Sequence, residues 1–99
     1  MKNYIWVVTE HRTVNGGATV STSHYYRAES EYKAKAKYEA LCDKYEGRTN
    51  LACTHDDNFS SIEEIDGEEL RSSFRDYEHT GKAKGRTHYE VEIGPEIIK

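Results

Sequence analysis

Asn15-Gly16-Gly17 stands between two runs rich in β-branched and aromatic residues, Tyr4 to Val8 and Thr19 to Tyr26. Asn-Gly and Gly-Gly supply the positive φ angles of a tight hairpin turn, and the flanking residue types favour strands. This signal, so near the start of the chain, commits the first third of it to an antiparallel pair. With a two-residue loop, Ile5, Val7, Val20, His24 and Tyr26 share one face, and Tyr4, Trp6, Val8, Ser21, Ser23 and Tyr25 share the other. A shift of the register by one would exchange the faces of the second strand.

The period changes after residue 30. Ala34, Tyr38, Leu41 and Tyr45 fall at i, i+4, i+7 and i+11, the stripe of an amphipathic helix. Ser30 suits the N-cap, Glu31 suits the positive helix start and Gly47 can close the far end. Arg48 to His55 then alternates as a short strand. Thr87, Tyr89, Val91 and Ile93 alternate with His88, Glu90 and Glu92 as a half-buried strand that Gly94-Pro95 ends. Between these, Leu70, Phe74 and Tyr77 repeat at helical spacing, and Asp66 with Glu69 resembles a capping box. That spacing predicts a second helix over 66–79; a strand over 70–79 is the competing reading. The expected fold class is α+β: an antiparallel sheet of about four strands with one or two helices packed on one face, in the order β-β-α-β-α-β.

Length and composition bound the rest. Ninety-nine residues make one domain, 1–99, and 35% hydrophobic residues suffice for one modest core. No apolar run approaches the ~20 residues that span a bilayer, and the polar start Met1-Lys2-Asn3 does not read as a signal peptide. Two cysteines cannot make a disulfide framework. The expectation is a cytoplasmic protein. A net charge of −4 argues against a general nucleic-acid coat.

The charges nevertheless sort by segment. Asp56, Asp57, Glu63, Glu64, Asp66, Glu68 and Glu69 lie in 56–69 with no Lys or Arg among them; Arg71, Arg75, Lys82, Lys84 and Arg86 follow. Held together, the acidic block would create a field that steers a basic partner, with carboxylates taking the places of nucleic-acid phosphates. The basic segment is the alternative site, one for nucleic acid itself. Among the eight tyrosines, Tyr38, Tyr45, Tyr77 and Tyr89 fall on core stripes. Tyr4, Trp6 and Tyr25 would form an exposed aromatic face, the kind of surface enriched at interfaces.

Candidates for chemistry are sparse. His11, His24, His55, His79 and His88, with Cys42, Cys53, Asp56 and Asp57, supply metal-ligand types, but no Cys-x-x-Cys or His-x-x-x-His spacing joins them. Cys53 and His55 are the best two-ligand fragment of that set. Glu90 and Glu92, on the exposed side of the last strand, could hold a cation or act as an acid/base pair. No phosphate loop or nucleophile motif is present. The sequence therefore points to no catalytic residue, no resident metal and no cofactor.

The start Met-Lys-Asn-Tyr leading into a strand, the hairpin at Asn15-Gly16, the helix from Ser30 to Tyr45 and the acidic block together resemble, in format, small bacteriophage and mobile-element proteins of the anti-CRISPR and host-takeover kind. That resemblance implies a non-catalytic inhibitor that binds a bacterial host protein or ribonucleoprotein complex and carries over no individual residue. The expected function is thus blockade of a bacterial defence, such as CRISPR-Cas, or of a nucleic-acid-handling complex through an acidic and aromatic surface. Two alternatives stand beside it: a small nucleic-acid-binding domain using 71–86, and a metal-dependent small enzyme or metal-stabilised domain. A homodimer through an edge strand or the Trp6 face is a further possibility.

Overall fold

The structure, a computed structural model, describes residues 2–14, 17–48, 51–56, 61–79 and 87–98. It is an α+β fold with the strands β1 (Tyr4–Val14) and β2 (Thr19–Arg27), the helix α1 (Glu31–Glu46), and then β3 (Leu51–Asp56), β4 (Ser61–Ile65), β5 (Glu68–His79) and β6 (Thr87–Ile97). A short 3-10 turn, Ala28–Ser30, leads into α1. The sheet runs β2-β1-β6-β5-β3, with every pairing antiparallel and β4 paired to the first half of β5.

The first hairpin forms, in the exchanged register. Trp6 pairs with Tyr26 and Val8 with His24, so the even positions of both strands share a face. Tyr4, Trp6 and Val8 turn to the helix side, and Tyr25 joins Ile5 and Val7 on the opposite side. The expected exposed aromatic face is therefore not formed. Tyr4 and Trp6 are 3% and 2% exposed in the core, whereas Tyr25 is 65% exposed. Burial of two large rings under α1 outweighs the turn's preference for a two-residue loop, since each ring removes on the order of 150–250 Å² from water.

Helix α1 keeps the stripe read from the sequence: Ala34, Tyr38, Leu41, Cys42 and Tyr45 are buried against the sheet. Tyr45 stacks obliquely on Tyr89 at 4.6 Å and on Tyr77 at 5.6 Å between ring centres. Arg48 lies over the rings of Tyr45 and Tyr89. Ser30 occupies the N-cap position without a side-chain capping bond. The Gly47 amide closes the other end on the Asp43 carbonyl at 3.0 Å.

The expected second helix is a strand. Asp66 (φ 54°) and Gly67 (φ 77°) form a two-residue turn between Ile65 and Glu68, which pair across it. Positive φ at both central positions is what a right-twisted hairpin requires, and Asp and Gly tolerate it best. The supposed capping box is thus a hairpin turn, and Leu70, Phe74 and Tyr77 lie along β5 rather than on a helix stripe. The β4–β5 hairpin reaches the start of the chain, where the Asn3 amide donates to Asp66 Oδ2 at 2.8 Å and Ile65 and Leu70 enter the core.

The last strand also runs past its expected stop. Gly94 and Pro95 remain in β6, opposite Val7 and Trp6. Pairing with β5 ends at Ile93, so among the described residues β6 pairs only with β1 at Pro95, where a missing donor costs least. One face of the sheet thus carries α1, and the other carries no helix among the described residues.

Candidate functional site

Two surfaces hold the residues that sequence reasoning singled out. The first is the β4–β5 hairpin, where the acidic block divides into two groups. Asp66 and Glu68 are structural. Asp66 accepts from both the backbone amide and the side-chain amide of Asn3, at 2.8 and 3.1 Å. Glu68 is ion-paired with Lys2 and accepts from the Tyr4 hydroxyl at 3.0 Å. The Lys2 hydrogen bond, then that of Tyr4, holds the Glu68 carboxyl below its ordinary value. Glu63, Glu64 and Glu69 stay exposed, and Glu64 faces Glu69 directly across the strand pair. Asp57 and the side chain of Asp56 lie outside the described residues.

Of the basic segment, Arg71 and Arg75 are described, and they point to different surroundings. Lys82, Lys84 and Arg86 lie outside the described residues. Arg75 is turned toward α1, its Nη1 3.6 Å from both Glu39 and Glu46, with its guanidinium over the Tyr38 ring. Arg71 is exposed beside Lys35, Glu31 and Glu69 in a cleft at the start of the helix.

The second surface is the face opposite α1. Antiparallel register sets Ser21, His11, Glu90 and Asp76 in a row across β2, β1, β6 and β5. His88 and Glu78 form the neighbouring pair on one side of this row, and Glu92 lies on the other. His11 Nε2 is 3.1 Å from Glu92 Oε1 and 3.8 Å from Glu90 Oε1, while its Nδ1 meets Ser21 Oγ at 2.6 Å. His88 Nε2 is 3.6 Å from Asp76 Oδ1, and its Nδ1 is 3.4 Å from Glu78 Oε1. Burial, and then the charge of Asp76 beside it, raises the Glu90 carboxyl above its ordinary value. A shallow groove of about 320 Å³ adjoins Glu92, walled by Val7, Thr9, Ser23, Tyr25 and Gly94.

Compared with protein-family models, curated proteins and solved structures, the chain matches none.

The functional reading therefore rests on this geometry alone. Sequence reasoning reached Glu90 and Glu92 as a possible cation pair and counted His11 among the ligand types, but it did not join His11 to that pair and it missed Asp76; these partners come from strands far apart in the chain. The signal available was parity: Asp76 and Glu78 alternate as Glu90 and Glu92 do, once 68–79 is taken as a strand. Of the other ligand types, His24 lies on the helix side opposite Val8, and the side chains of His55 and His79 fall outside the described residues. The fragment Cys53–His55 is interrupted by a register shift. Cys42 is fully buried, and burial pushes its thiol up from the ordinary value, which suits packing and not nucleophilic attack. Among the described residues, no helix is long and apolar enough to cross a membrane.

Proposed function

We propose that this protein is a non-catalytic binding protein whose β4–β5 hairpin docks on a basic surface of a bacterial host protein or ribonucleoprotein complex, blocking a defence system such as CRISPR-Cas or a nucleic-acid-handling machine. One observation carries the reading: Glu64 and Glu69 face each other across an exposed two-stranded hairpin, and Glu63, opposite Leu70, adds a third exposed carboxylate on the other face of the same strand. Like charges directly opposite on a strand pair are destabilising, so folding gains nothing from this placement. A basic partner relieves the repulsion and is drawn in by the field. Asp66 and Glu68 serve the same surface indirectly, by clasping the hairpin to Asn3, Lys2 and Tyr4.

The test is capture from a nuclease-treated bacterial lysate with tagged wild-type protein and with the charge-reversed variant Glu63→Lys/Glu64→Lys/Glu69→Lys, both checked for fold by circular dichroism. The reading expects a stoichiometric protein partner that survives nuclease and is lost by the variant. Retention of that partner by the folded variant would remove the hairpin from the interface. Recovery that depends on nucleic acid would transfer the function to the segment 71–86.

A further inference from the structure

The open face of the sheet carries a second site, on residues separate from the acidic hairpin. We infer that it binds a divalent transition-metal ion, with Glu90 as the ligand common to two overlapping triads: His11, Glu90 and Glu92 on one side, and Asp76, His88 and Glu90 on the other. Within each triad the ligand-type atoms lie within 4.8 Å of one another. An ion bound tetrahedrally at about 2.0–2.1 Å spaces its ligand atoms roughly 3.3 Å apart. His11 Nε2 to Glu92 is 3.1 Å, His88 Nε2 to Asp76 is 3.6 Å and His11 Nε2 to Glu90 is 3.8 Å. The two longer separations are poor hydrogen bonds but close to the edges of such a polyhedron.

The orientation of the two imidazoles is the independent argument. Each has its Nδ1 engaged away from the centre, His11 on Ser21 Oγ at 2.6 Å and His88 on Glu78 Oε1 at 3.4 Å. Each then presents Nε2 to the central carboxylates. A metal-binding histidine is fixed in this way, by a hydroxyl or carboxylate on the nitrogen that does not bind. Moreover, Asp76 Oδ1 is buried without a hydrogen-bond partner, an arrangement that a bound cation would satisfy.

The donor set also selects the kind of ion. Imidazole with carboxylates suits zinc, manganese or iron(II), and an all-oxygen cage for magnesium or calcium would not spend two histidines. By strand register, the one Arg or Lys among the described residues of this face is Arg27, opposite Ile5 at the far end of β1. Among the described residues, strand register therefore sets no Lys or Arg beside Asp76, Glu90 and Glu92. Glu92 is at once a ligand and a wall of the groove, so an ion held here would border a space of about 320 Å³.

The experiment uses the full chain, stripped with chelator and dialysed, titrated with zinc chloride by calorimetry and separately with cobalt(II) by visible absorption. The site predicts saturable binding of both ions and a cobalt spectrum with nitrogen and oxygen ligation. Glu90→Gln should weaken binding at least 10-fold, and so should at least one of His11→Ala and His88→Ala, since even outer-shell losses cost 10–100-fold. The hairpin variant Glu63→Gln/Glu64→Gln should bind as wild type does. If Glu90→Gln fails to fold, Ser21→Ala keeps every ligand and should still weaken binding about 10-fold if His11 ligates. No saturable binding by the wild type would overturn the site, as would undiminished binding by folded Glu90→Gln or equal loss in the hairpin variant.

Discussion

Gly94 offers the sharpest test of the fold, because it lies where β5 and β6 part company. A Cβ built on Gly94 meets Ser72 Oγ at 2.7 Å and Ser72 Cβ at 3.3 Å. The hydroxyl at 2.7 Å is the severe clash and must be displaced, whereas the Ser72 Cβ at 3.3 Å has to give by only a few tenths of an ångström. Overpacking of this kind costs about 1–3 kcal/mol. Removing a glycine from the unfolded chain returns about 0.4–1 kcal/mol. Gly94→Ala should therefore destabilise by about 1–2 kcal/mol, and in a Ser72→Ala background, where only the 3.3 Å contact persists, most of that loss should disappear. The coupling between the two changes is then about 1 kcal/mol, the order seen for residues in direct contact. Trp6, the single tryptophan and 2% exposed, reports unfolding by its fluorescence. With a urea slope of about 1–1.5 kcal/mol/M for a chain this size, the midpoint should fall by roughly 1 M. A neutral or stabilising Gly94→Ala, or strict additivity with Ser72→Ala, would refute the close approach of β5 to β6 at this point.

Three further outcomes follow from side chains already described. Because Glu68 is held below its ordinary value, the folded state binds its proton less tightly than the unfolded chain. Its contribution is thus complete above the unfolded value of about 4.3 and is lost as pH falls through the depressed folded value, so acid titration of stability should be flatter in Glu68→Gln than in wild type. Arg75→Ala, which removes two long ion pairs to Glu39 and Glu46 and the contact over Tyr38, should destabilise by about 1 kcal/mol in thermal melts. A variant as stable as wild type would free Arg75 for nucleic acid. Finally, a thiol reagent should label exposed Cys53 in the native protein and reach buried Cys42 only on unfolding; fast labelling of both would place Cys42 outside the core.

Local chemistry made some elements legible and tertiary context hid others. The stripe Ala34, Tyr38, Leu41 and Tyr45 was readable because a helix amphipathic over four turns has one way to bury itself. The hairpin at Asn15-Gly16 was readable as a hairpin, but not in register: one residue of slip decides whether Tyr25 or Tyr26 joins Trp6, and burial of Trp6 under α1 made the choice. Residues 66–79 misled because Leu70 and Tyr77 have a helical spacing by accident. Leu70 is buried where the β4–β5 hairpin meets the core around Trp6, and Tyr77 is buried under α1, so their spacing reflects two different environments. The Asp66-Gly67 dipeptide carried the right answer in two residues. Of the metal candidates, Glu90 and Glu92 were visible as alternating acids on one strand. His11 was visible only as an isolated ligand type and Asp76 not at all, because only the strand order β1-β6-β5 brings them to either side of Glu90.

That strand order also explains why chemistry, where this fold has any, belongs on the face away from α1. The helix covers one side of the sheet and takes the aromatic rings with it: Tyr4, Trp6, Tyr77 and Tyr89 are all 9% exposed or less. The opposite side must be stable in water, and its polar row satisfies that requirement without arranging anything in particular. Solvation alone would be served by lysine or threonine at these positions as well as by glutamate. It gives no reason for two imidazoles, on β1 and β6, to flank Glu90 with their Nε2 atoms toward Glu92 and Asp76, while hydroxyl and carboxylate partners hold their Nδ1 atoms. Glu90 sits between Asp76 and Glu92 at a cost in repulsion and burial that folding does not reward. A bound cation reverses the sign of that repulsion, turning Glu90 into the central ligand of the site.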